Sequence, residues 1–155
     1  MNNKEHGYQV TVRWTGNTGT GTATYRGYGR DHDILAEGKP PVKATADPAF
    51  RGTADRWNPE ELLVASLSEC HLLTYLAECT RAGVVVTAYS DAACGIMREE
   101  PGNGGRFVEV VLQPEVTVAE PDMIDKAVEL HDTAHQKCFI ANSVAFPVSH
   151  RPTVR

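Results

Sequence analysis

The chain has 155 residues, 41% of them hydrophobic, and its 15 Lys+Arg against 20 Asp+Glu leave a formal net charge of −5. That is enough apolar material for one globular domain burying roughly 70% of its unfolded surface, which excludes a disordered tail or a miniature scaffold, and the negative balance makes nucleic acid an unfavourable partner. Met1-Asn2-Asn3-Lys4-Glu5-His6-Gly7 lacks the apolar core of a signal peptide, and no uninterrupted apolar stretch approaches the ~20 residues of a membrane span, so a cytoplasmic protein with no membrane partner is expected.

Residues 8–14 alternate through Val10 and Val12 and predict a strand; Gly16-Asn17-Thr18-Gly19 predicts a turn, and residues 20–28 a second strand returning as a hairpin. From Gly29 to Arg56, Asp31-His32-Asp33, Pro40-Pro41 and Asp47-Pro48 interrupt regular structure, leaving room for one short strand over 42–46. Helix signals then coincide: Asn58 is an N-cap, Pro59 suits the first helical position, Glu61 completes a capping box, and Gly83 is a stop. Apolar residues from Leu62 to Ala77, among them Leu67, Leu72, Leu73 and Leu76, surround most of this segment, which predicts a central, largely covered helix.

Beyond Gly83, residues 84–92 and 107–118 are β-branched and alternating, and predict a long hairpin joined across Pro101-Gly102-Asn103-Gly104-Gly105. Pro121 opens a second helix to about Lys137, with Ile124, Val128, His131, His135 and Cys138 on one flank and Met123, Ala127, Leu130 and Ala134 on the next. Residues 143–154 form a last strand. No repeat or linker divides the chain, so the expectation is a single α+β domain over 1–155.

The four cysteines, Cys70, Cys79, Cys94 and Cys138, are too sparse for a disulfide-built fold and form no CxxC pair. Cys70, in Ser68-Glu69-Cys70-His71, is either a small buried hydrophobe or a nucleophile. The second role needs a cation or hydrogen-bond donors to offset the raised pKa of a buried thiol. His71, Arg13, Arg26, Arg30, Arg51 and Arg56 are the candidates. Cys79 lies about 13 Å further along the helix on the opposite side, so it cannot pair with Cys70 in one chain. Cys94 reads as packing. Cys138 ends the second helix, where the carbonyls disfavour a thiolate, and suits a resolving thiol better than an attacking one.

A competing constellation shares the second helix. His131 and His135 stand four apart, with Cys138 at the next turn, in a spacing that suits a zinc-binding hydrolase. Asp132 imitates the acid of HExxH but is one methylene short, and no fourth ligand is indicated.

Asn58-Pro59-Glu60-Glu61-Leu62, then the helical Cys70, then Cys138 in Cys138-Phe139-Ile140-Ala141-Asn142-Ser143, resembles the OsmC/Ohr family of thiol-dependent hydroperoxide reductases over nearly the whole chain. The resemblance implies an intertwined homodimer in which curved antiparallel sheets wrap around two long central helices. It also implies that Cys70 is the peroxidatic cysteine, Cys138 the resolving cysteine, and Glu60 the acid that organises the thiolate with an arginine. Arg30 is matched to that arginine, with Arg51 in reserve. No cofactor is implied; the substrate is an organic hydroperoxide, and hydrogen peroxide more weakly. The reductant is an external dithiol such as a lipoylated protein. A non-enzymatic stress-response dimer is the remaining alternative.

Helix rise adds one expectation. Glu60 and Cys70 of one straight helix are separated by about 15 Å and roughly 80° of rotation, so Glu60 is expected to serve the Cys70 of a second subunit.

Overall fold

The computed structural model describes residues 4–102 and 104–155; Met1, Asn2, Asn3 and Asn103, on which parts of the leader and turn readings fall, lie outside the described residues. The chain forms two compact units, one ending at Leu62 and one running from Leu63 to Arg155.

The first unit holds an antiparallel sheet of β1 (Thr11–Trp14), β2 (His32–Leu35) and β3 (Val42–Ala44), with Val12 opposite Ile34 and Asp33 opposite Lys43. The expected strand over 20–28 does not form. The Asn17 Oδ1 accepts from the backbone N–H groups of Gly19 and Gly21, and those glycines adopt φ of 123° and 56°, so local hydrogen bonds take the place of a ladder. His32 and Asp33, read with Asp31 as a break, instead open β2 and pair with β1, because His32 and Ile34 find cross-strand partners that a local reading cannot see. β3 stops at Ala44, two residues early, where the Thr45 N–H donates to the Trp57 carbonyl at 2.8 Å.

Helix α1 spans Pro59–Arg81. Its capping box is formed: the Glu61 N–H donates to Asn58 Oδ1 at 2.8 Å, and the Asn58 N–H reaches Glu61 Oε2 at 3.4 Å. Gly83 ends it at φ 74°, a left-handed conformation that favours glycine. In the second unit this helix buries Leu67, His71, Tyr75, Glu78 and Cys79, a face repeating every three to four residues, while Leu73 is 66% exposed. The helix is therefore not covered all round in the single chain. By length and mean hydropathy alone α1 reaches what a membrane-crossing helix needs, but Glu69 and Glu78 interrupt its apolar run. The carboxylate of Glu78 on its buried face accepts from Lys137 and Arg81.

The second unit adds β4 (Val86–Asp91), β5 (Cys94–Glu100), β6 (Gly104–Leu112), β7 (Pro114–Val118), helix α2 (Ile124–Lys137), β8 (Val148–His150) and β9 (Thr153–Val154). They form two sheets, ordered β4-β7-β9 and β5-β6-β8, in which β8 and β9 run parallel to their neighbours. The expected hairpin between 84–92 and 107–118 is wrong in its pairing. A strand at Cys94 is expected beside Gly95, but it runs to Glu100 as β5 and takes the place of β4 as the partner of β6, while β4 pairs with β7. The 107–118 run breaks at Gln113, whose N–H donates to Asp91 Oδ1 at 2.6 Å. The expected last strand likewise splits between both sheets. Gly95 admits α1 against β5: a Cβ there would stand 2.8 Å from Phe107 Cε1 and 2.9 Å from Val64 Cγ2. A short 3-10 turn, Pro121–Met123, precedes α2, which buries Ala127, Leu130, His131 and Ala134 and leaves Val128 44% exposed.

Candidate active site

The second unit brings Cys70 and Cys138 together. Cys70 is half-buried on α1; Cys138 is buried at the C-terminal end of α2, where its backbone has left the helix (φ −70°, ψ 113°). Burial, and next the neighbouring Cys70, push the Cys138 thiol up to about 11, against the opposing N–H groups of Ala141 and Ile140. The Ala141 nitrogen stands 3.5 Å from the Cys138 sulfur. One residue earlier Lys137 donates to Glu78 at 2.9 Å, tying the last turn of α2 to α1. That hydrogen bond is the first cause holding the Glu78 carboxyl below the ordinary range. Cys138 is thus protonated at neutral pH beside a second free thiol.

Cys79 is buried in the core with Tyr75, and burial raises its pKa; Cys94 is exposed on β5.

The residue after Cys70 does not supply a cation. His71 is 1% exposed and sits beside His131, 0% exposed, with His71 Nε2 3.0 Å from His131 Nδ1. One ring donates and the other accepts. Their planes differ by 7° at a centroid separation of 5.3 Å, and Tyr75 stacks on His131 at 3.9 Å. Burial first, then the neighbouring histidines, lower His71 to about 4 and His131 to about 3, so both rings are neutral at physiological pH. His150 closes the group, its Nε2 3.2 Å from Asp132 Oδ1. The linear reading found His71, His131 and Asp132 but not their association; the only hint was histidine at spacings that fall on the inner face of each helix.

The zinc constellation is not assembled. Among the described residues no three His, Cys, Asp or Glu side chains come together as a metal ion requires. His131 spends its Nδ1 on His71, and Cys138 lies past the last helical turn, beside Cys70.

In the first unit, Arg30, His32, Thr45, Phe50, Pro59 and Glu60 line a cavity of about 260 Å³. The Arg30 guanidinium donates to the carbonyls of Tyr28 at 2.5 Å and Tyr25 at 2.7 Å, and lies 3.9 Å from the Tyr28 ring centroid. Two carbonyls and two rings fix it in place. Glu60 shares the cavity, and its Oε2 is buried with no hydrogen-bond partner. Arg51, the reserve, is exposed after the short 3-10 turn Pro48–Phe50 and does not line the cavity.

The elements and the thiol pair place the molecule among mixed α+β proteins built on the OsmC architecture. Residues 52–152 match the family model for OsmC-like protein, and the chain belongs to that family. A solved OsmC-like protein of unknown function from Vibrio cholerae is 28% identical, with a TM-score of 0.85 over 96% of this chain and 100% of the other. An organic hydroperoxide resistance protein from Elizabethkingia anophelis is 18% identical, TM-score 0.67, over 97% and 98% of the two chains. The organic hydroperoxide resistance protein OhrB of Bacillus subtilis is 17% identical, TM-score 0.60, over 95% and 96%. These two show the same fold. No curated protein matches the chain.

Proposed function

We propose that this protein is a cysteine-based peroxidase of the cytoplasm that reduces organic hydroperoxides, and hydrogen peroxide more weakly. The observation that carries the reading is the proximity of two free thiols, Cys70 on α1 and Cys138 just past the end of α2, close enough for Cys70 to raise the Cys138 thiol. The Cys70 thiolate attacks the outer peroxide oxygen and releases an alcohol or water, leaving a sulfenic acid. Cys138, protonated and adjacent, condenses with it to a disulfide and water. An external dithiol, for which a lipoylated protein is the expected source, restores both thiols by exchange.

Arg30 and Glu60 are assigned to the thiolate's electrostatics. The rise of an unbroken α1 sets Glu60 about 15 Å from Cys70 along the same helix, so the pair is assigned to the Cys70 of a second subunit. The chain then acts as one OsmC-like domain completed in a homodimer. The family match running across Leu62, and the exposure of Tyr8 (91%), Val10 and Val12 (63% each) and Leu73 (66%), support that assembly.

Steady-state reduction of cumene hydroperoxide with a dihydrolipoyl donor tests the reading. Cys70→Ser abolishes turnover, and Cys138→Ser consumes about one equivalent of peroxide. Intact mass after brief oxidation of the natural chain falls by two hydrogens. Full multiple-turnover activity in Cys70→Ser, or an unchanged mass, refutes it, and an unchanged mass favours a non-enzymatic dimer.

A further inference from the structure

Cys138 lies on a short run of chain that is fixed on both sides of it. Beyond it, Ile140 and Ala141 pack against the apolar cluster that holds Leu67 of α1. Before it, Lys137 Nζ donates to Glu78 Oε2 of α1 at 2.9 Å. Leu67 and Glu78 are separated by about 16 Å of helix rise, and Cys70 stands between them. The run 137–141 therefore passes Cys70 with an apolar mount on one side and a charged mount on the other. Among the described residues, its remaining hydrogen bonds, such as the Cys138 N–H to the His135 carbonyl, the Asn142 N–H to the Cys138 carbonyl and Asn142 Nδ2 to the Gln136 carbonyl, stay within the end of α2 and the turn after it. They shape that end without fixing it to α1. The Glu78 side chain is 8% exposed, and a carboxylate so far out of water is costly unless paired. Of its two ion pairs, the one with Arg81 stays within α1, whereas the one with Lys137 crosses to α2.

Resting on the peroxidase reading, we infer that Lys137 and Glu78 are positioning residues for the disulfide-closing step: their ion pair holds the end of α2 so that the Cys138 sulfur stays within reach of the Cys70 sulfenic acid. In that step the Cys138 sulfur attacks the sulfenic sulfur, and the S–S bond forms as the S–O bond breaks. The thiol proton leaves with the hydroxyl as water; the Cys138 sulfur is oxidised by one electron and the Cys70 sulfur is reduced by one. The rate depends on how often the two sulfurs meet in line, so freeing one mount of the Cys138 run lowers it. The earlier attack of the Cys70 thiolate on peroxide needs neither residue. When closure is slow, the sulfenic acid persists until a second hydroperoxide transfers an oxygen to it, giving a sulfinic acid and a second alcohol.

Lys137→Met, Lys137→Arg and Arg81→Met in the full chain test this in single turnovers with cumene hydroperoxide, with sulfenic acid read by dimedone trapping and disulfide and sulfinic acid by the mass of alkylated samples. Lys137→Met is expected to slow disulfide closure by about tenfold and to raise the share of sulfinic acid at Cys70, while the first oxidation of Cys70 stays within about threefold of the natural rate. Lys137→Arg keeps a cation for Glu78 and closes within about threefold of the natural rate. Arg81→Met removes the other cation from the same carboxylate, which controls for lost stability, and it too closes within about threefold. If Lys137→Met does not fold, Glu78→Gln is judged by the same slowing. Closure in Lys137→Met within about threefold of the natural rate overturns the assignment, as does an Arg81→Met or Lys137→Arg chain slowed as much as Lys137→Met. A natural chain that forms neither sulfenic acid nor disulfide with hydroperoxide overturns the peroxidase reading itself and this inference with it; a natural chain that closes, with Lys137→Met unaffected, overturns this inference alone.

Discussion

Acidification from pH 7.5 to 5.0 is a sharp perturbation for the buried histidine pair. An imidazole in the unfolded chain titrates near 6.5, whereas His71 and His131 titrate near 4 and 3 in the folded chain, so between pH 6.5 and 4 the unfolded state binds more protons. Stability therefore falls as the pH falls. Integrating that difference from pH 7.5 to 5.0 gives a loss of about 2 kcal/mol for each ring. Both rings stay essentially neutral in the folded chain at pH 5, so the two losses add to about 4 kcal/mol, a large part of the 5–15 kcal/mol typical of a domain. Each ring is at most 1% exposed, so solvent does not screen the effect. The carboxylates with depressed values, Asp33, Asp55 and Glu78, start from 3.8 to 4.5 and lose their contribution below this window. His150, lowered chiefly by burial and partly restored by Asp132, adds in the same direction. Urea unfolding followed by far-ultraviolet circular dichroism at pH 7.5, 6.5 and 5.0 measures the loss, and His131→Phe, which keeps a ring against Tyr75, should remove about half of the pH dependence. A change below about 1 kcal/mol between pH 7.5 and 5.0 would show that the pair is not held neutral by burial.

Asn58→Ala removes the acceptor for the Glu61 N–H and should cost about 1 kcal/mol in denaturant unfolding, with Asn58→Asp retaining most of it. Gly95→Val places side-chain atoms against Phe107 and Val64 and should destabilise by about 1–3 kcal/mol, read as a lowered thermal midpoint; an unchanged midpoint would mean that α1 does not lie against β5 as closely as the fold has it. Thiol labelling of the native reduced chain should modify exposed Cys94 first and leave buried Cys79 and Cys138 protected until denaturant is added, which peptide mass mapping resolves. Glu78→Gln, which weakens the contacts to Lys137 and Arg81, should cost about 1 kcal/mol at low salt and less at high salt, since both cations are more than half exposed.

Wherever the cause was local, the amino-acid sequence determined the outcome. The capping box at Asn58 follows from side chains bonding to backbone three residues away, the stop at Gly83 from a left-handed φ that favours glycine, and the NPEEL block with its two cysteines carried the family. Tertiary structure alone decided what depends on partners far along the chain. His32-Asp33 becomes part of a strand because β1 lies beside it; β5 displaces β4 as the partner of β6; and the burial of His131 against His71 and Tyr75 keeps the expected His131, His135 and Cys138 ligands from gathering among the described residues. Local propensity and spacing describe one segment at a time, whereas pairing register and the desolvation that keeps His71 and His131 neutral exist only once separate segments exclude water from each other.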